Sequence, residues 1–205
     1  MKRSAPSARR VRAVESFQSA AECIGPIEPG LSLFAITRGQ FSMIDAILAC
    51  LDQVGPARIS LWTWTVASYE IECLTRLRLD DRITAGRLII DTNAPKKQPA
   101  LLDQWQESFG PDSVRIVVNH SKIATIETDT YRLLLRGSMN LNFNPRFEQF
   151  DVTEGGPDFD LVRSIEDGLP IHSGSDAEAY KASQVANAFS PETLTLFRGI
   201  TKWAK

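Results

Sequence analysis

Apolar positions along the chain follow two rhythms, one of period two and one of three to four, and they alternate in blocks. Leu31–Thr37, LSLFAIT, reads as a short strand closed by Arg38-Gly39. From Ser42 to Val54, Met43, Ile44, Ile47, Leu48 and Leu51 recur at three- and four-residue spacing. That spacing predicts an amphipathic helix with Ser42 as its cap and Gly55-Pro56 as its stop. Arg58–Thr65, RISLWTWT, is β-branched and aromatic enough for a central strand. Trp62 and Trp64 then share a face, either as packing or as platforms for bases. A second helix is expected over Ser68–Leu79 and a strand in RLIID after Gly86. A loop carrying Lys96 and Lys97 follows over Thr92–Pro99, then a third helix over Ala100–Phe109 and a strand over Ser113–Val118.

Strands alternating with helices of about ten residues argue for an α/β fold, a mixed β-sheet flanked by helices. Three segments are expected. Residues 1–30 form a basic, flexible N-terminal stretch, 31–154 the domain proper, and 155–205 a C-terminal helical extension packing on it. In the last segment a helix is expected over Asp158–Asp167, and two more after Ala177, separated near Ser190-Pro191.

The stretch from Asn119 to Phe150 holds the residues that chemistry would use. His120 and Lys122 are two apart, as are Ser138 and Asn140, so on strands each pair would share a face. A hairpin about Thr128-Asp129-Thr130 would bring the pairs into one pocket. Such a pocket suits a phosphate, with a lysine charge, an asparagine amide and a serine hydroxyl. Gly137 would let the backbone approach closely, and Asn142 and Asn144 add donors nearby. Histidine is the group able to attack phosphorus or pass a proton near neutral pH.

HxK at His120 and Lys122, an acid at Glu127, GSxN at Gly137, Ser138 and Asn140, and a downstream Glu148 together resemble half of the phospholipase D superfamily signature. Glu127 stands at the family's aspartate position, with a longer spacing to Gly137. The order of strands and helices over about Leu31–Val152 is similar to one half-domain of that family. The resemblance implies catalytic roles for His120, Lys122, Asn140, Glu148 and Glu127, and substrate binding by Ser138, Gly137 and Asn142. It implies a phosphohistidine intermediate, with one histidine attacking and a second protonating the leaving oxygen. Glu148 would orient a histidine by accepting its second ring proton. One motif per chain supplies only half of such a site, so a homodimer is expected to complete it, as in the family's small bacterial endonucleases.

Charge and composition narrow the partners. Net charge is −2, yet residues 1–14 carry five Lys and Arg and no acid, leaving the rest of the chain at −7. Between Arg115 and Arg146 five Lys and Arg face only Glu127 and Asp129, which suggests a basic patch for a polyanion at the motif. Cys23, Cys50 and Cys73 are too scattered for a disulfide framework, and neither of the two histidines has a second ligand at zinc spacing. No metal or cofactor is implied. His172 lies in a Gly/Ser-rich loop with no lysine partner and reads as a surface residue. No apolar run approaches bilayer length, and the N-terminus lacks a signal peptide's apolar stretch, so a cytoplasmic protein with no membrane partner is expected.

Three functions stay open. One is a metal-independent phosphodiesterase acting on nucleic acid, DNA before RNA. Another is a nucleic-acid-binding or structural module with weak or no turnover. The third is a phospholipase or phosphatidyl transferase.

Overall fold

The computed structural model describes residues 9–141 and 146–171. Eight strands form one mixed sheet in the order β1-β2-β8-β7-β6-β3-β4-β5. Their ranges are β1 Arg10–Arg12, β2 Ser32–Arg38, β3 Ala57–Thr63, β4 Ile83–Asp91, β5 Val114–Val117, β6 Ile123–Glu127, β7 Arg132–Gly137 and β8 Phe147–Glu154. Pairing is parallel for β1/β2, β3/β4 and β4/β5, and antiparallel from β2 through β8, β7 and β6 to β3.

The helices are α1 Ala20–Ile24, α2 Met43–Val54, α3 Ser68–Leu79, α4 Ala94–Lys97, α5 Pro99–Phe109 and α6 Pro157–Gly168. Helix α2 begins where its sequence sets it. Ser42 accepts from the Asp45 N–H, and the Asp45 carboxylate accepts from the Ser42 N–H at 2.7 Å, a reciprocal cap. It stops at Gly55, whose φ of 80° suits a residue without Cβ.

Alternation along the strands sorts the two faces. Ile59 and Leu61 of β3, Ala124 and Ile126 of β6, and Leu133 and Leu135 of β7 join the main core beneath α1, α2, α3 and α5. The opposite face belongs to α6. There Ser60 and Trp62 reach the fully buried Glu166, and Arg132 and Arg136 reach Asp160 and Asp158.

Two expectations about the elements are corrected. Residues 9–30 do not form a flexible stretch: β1 pairs with β2, and Phe17, Ala20, Cys23 and Ile24 are buried. Arg10 donates to the Pro26 carbonyl at 2.8 Å, and Arg9 to Asp151 at 2.7 Å, so these cations serve the fold. Helix α1 has five residues, too few for the helical rhythm to stand out. Lys96 and Lys97 lie on the single turn of α4, hidden for the same reason. Helix α6 sits where the 155–205 extension was expected to begin, whereas the two helices expected after Ala177, and His172, fall outside the described residues. Among the described residues no helix is long and apolar enough to cross a membrane.

Candidate functional site

At one end of the sheet, loops leaving β2, β3, β5 and β7 meet the starts of β6, β8 and α2 around a pocket of about 520 Å³. Its lining includes His120, Lys122, Ser138, Asn140, Arg146 and Glu148. Five of the residues singled out by sequence spacing meet here, but by a route other than strand alternation. His120 and Lys122 precede β6, and Ser138 and Asn140 follow β7, so neither pair shares a strand face.

What places His120 is Asn119. Its buried side chain donates to the carbonyls of Thr63 at 3.0 Å and Ile89 at 3.2 Å, closing the ends of β3 and β4. Its N–H bonds Asp91, and its Oδ1 accepts from Ser121 at 2.8 Å. The loop is therefore pinned on both sides of His120, whose ring stays exposed. Neither Asn119 nor Asp91 carries a sequence signal, because partners on β3 and β4 lie far off along the chain.

Lys122 is buried, with Nζ 3.0 Å from His120 Nδ1 and 2.5 Å from the His120 carbonyl. An ammonium only donates, so Nδ1 accepts and the neutral ring carries its proton on Nε2. Burial pulls the lysine pKa below its ordinary value, and Glu148 partly opposes that. Across the pocket Ser138 donates to Glu148, while its oxygen accepts from the Gln149 N–H at 3.1 Å. Asn140 Oδ1 is buried without a partner among the described residues, and Leu141 is tied to Ala67 through a backbone bond of 3.1 Å.

Two of the expected site residues stand elsewhere, and a third lies outside the described residues. Gly137 approaches the backbone of β8 and not the pocket: a Cβ there would lie 2.7 Å from the Gln149 carbonyl oxygen. Glu127 closes the far end of β6, roughly 16 Å from Lys122 at the strand's rise per residue, and holds Arg58 at 2.5 Å. Asn142, with Asn144, lies outside the described residues.

The expected basic patch is also corrected. Arg132 pairs with Asp160, Arg136 with Asp151 and Asp158, and buried Arg115 donates to the carbonyls of Asp112 and Leu169. These charges cluster in sequence but are consumed by acids and carbonyls in space. The cations that line the pocket are Lys122 and Arg146, with His120 beside them.

Aromatic groups complete the rim. Trp62 donates to Glu166 at 2.7 Å under α6 and is packing. Trp64, beyond the end of β3, escapes the alternation. It is 42% exposed, and its ring centroid is 5.9 Å from that of His120. Phe147, at the first position of β8, is 66% exposed. No family model matches the chain, and no curated protein matches it significantly.

Proposed function

We propose that the protein is a phosphodiesterase acting on nucleic acid, built like a phospholipase D half-domain, whose active site is completed when two copies bring their His120 residues together. The supporting observation is the pocket itself: an exposed imidazole held by a pinned loop, with a buried lysine at its Nδ1 and Asn140 and the Ser138–Glu148 pair opposite.

An entering phosphodiester draws the Lys122 ammonium to its anionic oxygens and off Nδ1. The ring proton then moves to Nδ1, exposing the Nε2 lone pair. Nε2 attacks phosphorus, forming the P–N bond as the P–O bond to the leaving group breaks. His120 of the second copy, doubly protonated as an imidazolium, gives its Nε2 proton to the departing oxygen and is left as a neutral ring. Water then attacks the phosphohistidine, losing a proton to the same second ring, and frees His120 and a phosphomonoester. Two imidazoles on opposite sides of phosphorus are needed, and each chain supplies one at this site.

DNA and RNA incubated with the purified protein in chelator test this. Cleavage that persists in chelator and disappears in His120→Ala is expected; cleavage surviving in the variant overturns the assignment. A second reading is favoured by one observation, the lysine rather than a carboxylate at Nδ1. On that reading the pocket binds phosphate without turnover, and DNA is retarded on a gel but left intact.

A further inference from the structure

Two cations at the pocket rim rest on aromatic rings. Lys97 Nζ lies 5.7 Å from the Trp64 ring centroid, and the Arg38 guanidinium carbon 5.5 Å from that of Phe147. Both rings line the pocket, Trp64 among the residues after β3 and Phe147 at the start of β8, and both are exposed. Arg132 and Arg136 are held by acids, whereas Lys97 and Arg38 have no carboxylate partner among the described residues. Cations interleaved with exposed rings beside a phosphate pocket match what an unpaired strand requires. Its bases offer π-faces to stack, and its backbone offers an anion at each step. A duplex keeps its base faces stacked inside, so its surface offers phosphates, sugars and base edges but no π-face.

We infer that the pocket takes single-stranded nucleic acid, with bases flanking the bound phosphate stacked on Trp64 and Phe147 and the neighbouring phosphates met by Lys97 and Arg38. This deepens the function proposed above and rests on its phosphate pocket. The rings do not touch phosphorus. They position the strand, and they exclude paired substrates because a base must leave its stack to reach Trp64 beside His120.

Full-length His120→Ala protein, which holds substrate uncleaved, is titrated with a fluorescein-labelled single strand, its duplex, and inorganic phosphate. Single-strand affinity is expected to exceed duplex affinity about tenfold, and Trp64→Leu or Phe147→Ala each to lower it about tenfold. Trp64→Phe, which keeps a ring, is expected to retain most of it. Inorganic phosphate should bind all the variants alike, which shows that the pocket has kept its shape.

Equal affinity for strand and duplex overturns the inference. So do ring deletions that leave strand affinity unchanged, or that dissociate the protein's copies without changing it. Cleavage by the wild type is scored separately. Equal cleavage of both substrates sinks the inference and spares the phosphodiesterase, whereas ring-dependent strand binding without cleavage does the reverse.

Discussion

Lys122 holds its place at a cost set by burial. Folding lowers its pKa, so between that lowered value and the ordinary lysine range the unfolded chain binds more protons than the folded one. Stability therefore rises with pH across that alkaline window. Below that window both states hold the proton and the buried ammonium costs the fold a constant amount. Lys122→Met is accordingly expected to be at least as stable as the wild type at pH 7, to lose the lysine's share of the alkaline rise, and to bind inorganic phosphate at least about tenfold more weakly. Urea titrations over a pH series and phosphate calorimetry check the three outcomes. A variant that is less stable at pH 7 would mean that the ammonium serves the fold rather than the pocket. Gly137 is constrained in the opposite sense. Gly137→Ala drives a methyl into the Gln149 carbonyl and is expected to cost about 1–3 kcal/mol in chemical denaturation. At this scale the sequence pointed to His120, Lys122, Ser138, Asn140 and Glu148, which line one pocket, and also to Gly137 and Glu127, which stand elsewhere. HxK spacing suggested a shared strand face, yet the pair meets in a loop through a lysine that folds back onto its own histidine.

Elements were legible where their rhythm ran long enough. The twelve-residue helices α2 and α3 and the hairpin β6–β7 stand where apolar spacing and turn residues put them. Short pieces were not legible: α1, α4 and β1 have five, four and three residues, and tertiary partners decide them. Helix α6 shows what such partners can do. It is strongly polar, yet Glu166 is fully buried and accepts from Ser60 and from Trp62 on β3, while Arg163 holds it at 2.7 Å and Arg87 at 3.5 Å. Deleting that carboxylate leaves the Trp62 N–H without its acceptor and takes one anion from two arginines, although Arg87 keeps Asp167, Arg163 keeps Glu127 and Ser60 keeps Thr125. Glu166→Ala is expected to lower stability by about 3–5 kcal/mol, read from the urea midpoint at unchanged slope. Glu166→Gln, which can still accept from Ser60 and Trp62, is expected to lose less. Equal losses would assign the effect to the arginine pairs alone.

Across the whole molecule, charge was the least readable property, because a count along the chain does not say which guanidiniums fold back on acids. Arg132 and Arg136 do, so the cationic surface near His120 is small rather than spread as a field. On the function proposed here, the part still to be supplied is a second imidazole, since among the described residues His120 is the one histidine. If the active unit is a pair of copies sharing one phosphorus, a chain without His120 disables any pair it joins. When wild type is co-refolded with His120→Ala in equal amounts, random pairing leaves about a quarter of the pairs with both histidines, and activity should fall to that fraction of an all-wild-type sample. If single chains were competent, half would remain. Varying the ratio separates the two cases, because loss follows the square of the wild-type fraction in the first and the fraction itself in the second. Dilution gives an independent check: specific activity should fall once the protein is below its dissociation constant, since a lone chain offers phosphorus a nucleophile with no acid opposite.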